Sequence, residues 1–201
     1  MTRILVAIAI LVPAVAHADD AATGHKGQGG LSLRLGDGVR GIATYNSDYC
    51  GTLDAGAKNG NAPVCSGRSP FVMDLELSYG VAKSVDVTLE LEFALEHDFG
   101  VSAGIEGPRP YHLAPGARFY FSEEQHSKLF VQPELVLDFS GYQKPGGASR
   151  GTDVGVRGIE GYWYDVTRNV GVYAWVGEKA EFSRWLYFGL ELGLGVQGRY
   201  P

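Results

Sequence analysis

Two stretches of this chain alternate apolar and polar residues with a period that only a β-strand produces. Phe71, Met73, Leu75, Leu77 and Tyr79 share one parity, and Asp74, Glu76 and Ser78 share the other. Val85, Val87, Leu89, Leu91, Phe93 and Leu95 then oppose Asp86, Thr88, Glu90, Glu92 and Glu96. Successive Cβ atoms leave opposite faces of a strand, so such a segment has one apolar face and one polar face. Six more segments follow the rule. Leu31, Leu33 and Leu35 oppose Ser32 and Arg34, and Tyr111, Leu113, Ala117, Phe119 and Phe121 oppose His112, Gly116 and Arg118. Leu129, Val131, Leu135, Leu137 and Phe139 oppose Gln132, Glu134 and Asp138, and Val154 and Val156 oppose Asp153, Gly155 and Arg157. Val170, Val172, Ala174 and Val176 oppose Gly171, Tyr173, Trp175 and Gly177. Leu186 to Val196 on even positions oppose Gly189, Glu191, Gly193, Gly195, Gln197 and Arg199. Ile159 and Glu160 break the alternation after Arg157, which predicts a bulge or a strand boundary there.

The connections also alternate. Links 45–69, 97–109 and 141–152 are long, links 80–84, 123–127 and 165–168 are short, and the last, 179–183, is five residues. An even number of antiparallel strands with short and long links in turn is the pattern of a membrane-spanning barrel. Its short turns face the periplasm and its longer loops face outside. The expected fold class is all-β, an eight-stranded antiparallel up-and-down transmembrane β-barrel over residues 30–201.

Alternation alone does not say which face points outward, since a soluble barrel turns its apolar face inward. Three features favour the inverted arrangement. The polar face carries mid-strand charges of both signs. Asp74, Glu76, Asp86, Glu90, Glu92, Glu134, Asp138 and Glu191 accompany Arg34, Arg118, Arg157 and Arg199. Lysine avoids strand middles, with Lys83, Lys128 and Lys179 at strand ends or turns, although a solvent-facing sheet would use it. The clear segments approach the ~9–11 residues a tilted strand needs to cross hydrocarbon. Phe71, Tyr79, Phe119, Phe121, Phe139, Tyr142, Tyr162, Tyr164 and Tyr200 lie near strand ends, where aromatic belts form.

The N-terminus reads as an address. Arg3 precedes the uncharged run Ile4–Ala16, and Ala16-His17-Ala18 offers a small-x-small cleavage pattern. Residues 1–18 are therefore expected to be a signal peptide cleaved after Ala18, and 19–29 a flexible segment. The formal net charge of −6 becomes −7 when Arg3 is removed. This acidity argues against nucleic acid, which selects basic patches. In an exported protein Cys50 and Cys65, the only cysteines, are expected to form a disulfide. Without C-x-x-C spacing or neighbouring histidines they make a poor metal site.

With this parity and these links, the chain resembles the small eight-stranded outer-membrane barrels, the superfamily of OmpX and the OmpA transmembrane domain, over residues 30–200. The resemblance implies outer-membrane localisation, lipid contact and assembly by the barrel-assembly machinery, which reads a final strand ending in an aromatic residue. Tyr200 follows Gly198, Val196, Leu194, Leu192 and Leu190 at alternate positions, and Pro201 comes after it.

Catalytic motifs are sparse. Gly193-Leu194-Gly195-Val196-Gln197-Gly198 fits G-x-G-x-x-G. No helix can follow it to receive a pyrophosphate, so the glycines read as small inward residues. His97 stands between Glu96 and Asp98 where a strand meets a loop, and His112 reads as an interior or rim residue. The resemblance includes lipid-A-modifying barrels with a paired His and Ser. His126-Ser127 falls in a turn expected on the periplasmic side, away from outer-leaflet lipid. No catalytic, cofactor-binding or metal residue is assigned. The twelve charged residues are expected to form a polar plug inside the barrel. The expected function is that of a membrane anchor or surface-interaction protein, with loop 45–69 meeting a surface ligand. The alternatives are a narrow cation-preferring pore, a lipid-A-modifying enzyme and a soluble periplasmic ligand-binding barrel.

Overall fold

A computed structural model describes residues 25–43, 64–96, 111–121, 126–140, 142–143, 149–150, 152–183 and 186–201. The signal peptide, Cys50, His97 and most of the three long links fall outside the described residues. Cys65 is described in its backbone alone, so the expected disulfide also lies beyond them.

The strands among the described residues are β1 (Gly29–Ala43), β2 (Val64–Arg68), β3 (Val72–Ala82), β4 (Val85–Ala94), β5 (Tyr111–Tyr120) and β6 (Ser127–Asp138). They continue with β7 (Tyr142–Gln143), β8 (Ser149–Arg150), β9 (Asp153–Thr167), β10 (Val170–Glu181) and β11 (Leu186–Tyr200). Strands β1, β3, β4, β5, β6, β9, β10 and β11 pair antiparallel in sequence order, and β11 returns to β1, from Gly29↔Tyr200 to Ala43↔Leu186. Every central strand thus has two neighbours, and the sheet has no free edge along β1. The result is the closed eight-stranded up-and-down barrel expected from the parity. The lower rim carries both ends of the barrel sequence and the links 83–84, 121–126 and 168–169. The upper rim carries the links after β1, β4, β6 and β10. Strands β7 and β8 form a separate hairpin within the link after β6.

Strands β3, β9 and β10 run into the expected links 80–84, 165–168 and 179–183, and two further places differ from the sequence reading. Part of the expected first loop is strand β2, which pairs with β1 at Val39–Ala43 while β3 pairs with Gly29–Gly36. The two are one line of strand interrupted at 69–71. Pro70 lacks the N–H a ladder needs, whereas Ser69 N–H still donates to Gly38 O at 2.9 Å. The second difference is β9, which runs through Ile159 and Glu160 without a bulge. Glu160 pairs in register with Val131 and with Val176. The two residues exchange the usual chemistry of the faces, Ile159 pointing inward and Glu160 outward. An irregularity does occur lower, between Val170 and Gly171 of β10.

The faces are inverted relative to a soluble protein. Leu192 and Leu194 on the outer face are 64% and 70% exposed, while Arg34, Asp74, Glu76 and Glu90 inside are 0% exposed. Water would solvate those charges and repel those leucines, so hydrocarbon is the solvent this surface fits. Tyr79, Phe119, Phe121, Tyr162, Tyr164 and Tyr200 are exposed toward the lower end and Phe139, Phe182 and Phe188 toward the upper, at the two levels where membrane interfaces favour aromatics. Phe71 is only half-buried in that upper ring. On the upper outer face Asp37, Arg68 and Glu96 form an exposed ion-pair cluster, with Arg68 Nη2 2.9 Å from Asp37 and 3.1 Å from Glu96.

Candidate functional site

The barrel interior is the most chemically loaded part of the molecule. All twelve charged residues singled out by parity are buried there. They lie in three layers, the upper two joined through Glu92 and Glu191.

In the middle layer, Arg34 of β1 and Arg157 of β9 both engage Glu90 of β4. No two of these strands are neighbours, so the contact braces the barrel across its lumen. Arg34 also lies 3.2 Å from Asp74 and 4.0 Å from Glu134. Arg157 reaches Glu134 at 2.6 Å, Glu92 at 2.7 Å and Glu191 at 3.8 Å. Beside them, Arg118 Nη2 donates to both oxygens of Glu76 at 2.8 Å. Gln132, an inward residue sequence parity marked only as polar, accepts from Arg118 Nε at 2.6 Å and donates to Glu76 at 2.7 Å and Glu134 at 2.6 Å. Buried charges are tolerated when paired and hydrogen-bonded; the bidentate Arg118–Glu76 pair meets both conditions, whereas Arg34 and Asp74 are paired by charge with no hydrogen bond between them.

Below it lies an apolar core inside the barrel, formed by Tyr120, Phe130, Ile159, Trp163, Tyr173 and Trp175. Trp163 and Tyr173 stack with ring centroids 4.7 Å apart. Arg118 covers the rings of Phe130, Trp163 and Tyr173 at 5.1, 5.3 and 5.4 Å. Inward glycines make the room. A Cβ on Gly36 or Gly193 would stand 2.7 or 2.9 Å from the Trp175 ring. The G-x-G-x-x-G match is thus partly a packing device, with Gly193 and Gly195 against Trp175 and Tyr173. Gly198 has the outward parity instead.

The lower rim is closed by His25, a residue absent from the candidates drawn from sequence. Residues 25–28 of the expected flexible segment 19–29 pack against the lower rim. His25 N–H donates to Lys83 O at 3.0 Å and Gly27 N–H to Gly80 O at 2.7 Å. Its imidazole packs edge-on to Tyr120 at 4.4 Å, with Nδ1 3.1 Å from Asp86 and Nε2 3.2 Å from Lys128. Burial pushes the His25 pKa down, against the pull of the Asp86 hydrogen bond; Arg199 and Lys128 add to the depression. Lys128 and Arg199 converge on Asp165, Lys128 at 2.8 Å.

The upper layer contains His112, Asp138, Asp153, Glu181 and Lys179. His112 Nδ1 lies 2.8 Å from Glu92, and Nε2 lies 3.5 Å from Asp138 and 3.9 Å from Glu181. Lys179 Nζ reaches Glu191 at 3.1 Å and Glu92 at 3.4 Å. Lys128, Lys179, Asp153, Asp165 and Glu181 were not singled out as interior charges. Each shares the inward parity of its strand, so the signal was present. Placing both lysines at strand ends was correct in position, yet their side chains turn into the barrel.

No family model matches the sequence, and no curated protein matches it. Solved structures do match. Neisserial surface protein A is 14% identical with a TM-score of 0.59, the match covering 85% of this chain and 97% of that one. The attachment invasion locus protein Ail of Yersinia pestis is 12% identical with a TM-score of 0.54, covering 87% and 99%. The chain has the fold of the small eight-stranded outer-membrane barrels. The N-terminal β-barrel domain of Pseudomonas aeruginosa OprF gives the same result at 10% identity and a TM-score of 0.50, with 84% and 97% covered. At such identities the likeness is one of fold alone, so this barrel's interior is argued from its own residues.

Proposed function

We propose that the protein is an integral outer-membrane barrel whose strands are an anchor and whose upper links present a surface to the exterior. The observation that carries this reading is the inverted polarity, with leucines exposed all round the wall and charges sealed within it. In this reading residues 1–18 direct export. The final strand, ending in the outward Tyr200 (62% exposed), is read by the barrel-assembly machinery. The long first link, with Cys50 and Cys65 bridged, contacts an external partner or ligand. Catalysis has no part in it. A narrow cation-preferring path draws support from the excess of interior acids. Against it, the Arg34–Glu90–Arg157 contact spans the lumen, in a barrel size whose interior side chains just fill.

Two measurements test the parts separately. The folded protein should sediment with the outer membrane, resist carbonate extraction, and migrate faster on detergent gels before boiling than after. Release by osmotic shock without detergent overturns the anchor. Replacing residues 51–63 by a Gly/Ser linker should leave that gel shift intact and abolish binding of cells to external surfaces. Unchanged surface phenotypes overturn the loop reading alone.

A further inference from the structure

Inside the upper rim the barrel wall sets a row of ionisable side chains side by side. Glu92 pairs with His112, His112 with Asp138 and Asp138 with Asp153, each in register across β4, β5, β6 and β9. Glu181 joins them from β10. It does so because its own partner is Gly155, where a Cβ would stand 2.7 Å from Glu181 Cγ. The same Cβ would collide with the Ala180 carbonyl oxygen, so a larger residue at 155 would push the β10 backbone and Glu181 with it. The glycine is therefore a cradle for this carboxylate.

The orientation of His112 matters most. Glu92 holds Nδ1 at 2.8 Å, and with the Nδ1–H donated to that carboxylate, the Nε2 lone pair is turned toward Asp138 and Glu181. A carboxylate behind a histidine, fixing its tautomer, is the arrangement that supports metal-ligating imidazoles. Asp138 is oriented too. Its Oδ1 accepts from Ser140 N–H at 2.6 Å and from the Ser140 hydroxyl. One atom from each of His112, Asp138 and Glu181 lies within 4.8 Å of the others, and all three residues are buried. Nε2 and an oxygen of each carboxylate thus converge, so that one cation placed among them would meet all three. Lys179 lies on the other side of the ring, 3.4 Å from Nδ1 and in contact with Glu92 and Glu191. Over the whole interior, eleven buried acids face seven buried lysines and arginines, among the described residues.

We propose that His112, Asp138 and Glu181 bind one divalent transition-metal ion, of the zinc class, just inside the outer mouth of the barrel. The Nε2–carboxylate separations of 3.5 and 3.9 Å suit an ion about 2.0–2.2 Å from each ligand. One imidazole among the ligands selects zinc-like ions over magnesium and calcium, which prefer all-oxygen sites. All three ligands sit at or next to the upper ends of their strands, so ions arrive from the exterior. The bound ion would tie β5, β6 and β10 together at the level where the surface links begin.

The test is calorimetric titration of zinc chloride into the full, untagged protein folded in detergent micelles and stripped with chelator. One equivalent should bind. His112→Gln and Glu181→Gln should each weaken binding at least tenfold, and His126→Ala, at the opposite rim, should leave it unchanged. The shift on boiling shows that each variant is folded. If His112→Gln does not fold, Asp138→Asn replaces it and should weaken binding by removing one ligand carboxylate. Cobalt in place of zinc should give a visible absorption band that the Glu181→Gln variant alters. Absence of stoichiometric zinc binding, equal affinity in the ligand variants, or equal affinity for magnesium overturns the proposal. The anchor reading stands or falls separately on fractionation.

Discussion

The interior charge balance makes an asymmetric prediction about stability. Arg157 is almost fully buried and faces Glu90, Glu92, Glu134 and Glu191. Replacing it with glutamine keeps a hydrogen-bonding group but leaves several carboxylates short of a cation. Removing one partner of a buried ion pair costs about 3–5 kcal/mol, because the other charge remains desolvated. Glu191 is the converse case. It stands 3.8 Å from Arg157, and the stronger claim on Lys179 is shared with Glu92. In an interior with surplus acid, Glu191→Gln removes repulsion as well as attraction. Its net effect should fall within about 1 kcal/mol of zero. The two substitutions therefore differ by at least about 2 kcal/mol, more than tenfold in the folding equilibrium. Urea titration of protein refolded into detergent or lipid, read by the fraction migrating as the folded band, resolves that difference. Equal destabilisation by the two variants would refute the surplus-acid account. It would mean that geometry at each site, rather than charge balance, sets the cost.

Two further outcomes follow from packing and protonation. Gly193→Val should destabilise the barrel by at least about 1–3 kcal/mol, the usual cost of overpacking, since its Cβ would meet Trp175 and the Leu35 carbonyl. Gly41→Val should be tolerated within about 0.5 kcal/mol, because a Cβ there meets nothing within 4 Å; the same urea titration reads both. His25 has a pKa below its ordinary 6.5 in the folded state, so releasing it favours proton uptake. Its docking is fully stable above about pH 6.5 and weakens as pH falls through the lower folded value. Trypsin cleavage after Lys26 should therefore accelerate between pH 7.5 and 5, and His25→Phe should flatten that dependence. Cleavage independent of pH in the native protein would show that the Asp86, Lys128 and Arg199 charges around His25 compensate one another.

Parity made the barrel legible because one rule, alternation, fixed both the strands and their inward charges. It failed where the rule's chemistry was locally exchanged. Ile159 and Glu160 looked like a break because an apolar residue is expected outside. Ile159 is instead drawn inward by the Trp163–Tyr173–Trp175 core, which needs an apolar neighbour more than the outer wall does. Continuous pairing on both sides of β9 distinguishes an exchange from a bulge, and pairing is a long-range property. His25 was invisible for a different reason. It belongs to no strand, and its position depends on Gly80, where a Cβ would collide with the His25 backbone. Which charges meet was equally hidden. Asp74 and Glu92 are register partners on adjacent strands, yet Arg34 takes the first and Arg157 the second. Parity puts a side chain inside; the stagger that closes β11 onto β1 decides what it meets there. The same reasoning applies to His112, whose neighbours Asp138 and Glu181 lie 26 and 69 residues away in sequence. A metal-ligand spacing cannot be read from the chain when closure of the barrel, rather than a local turn, assembles the ligands.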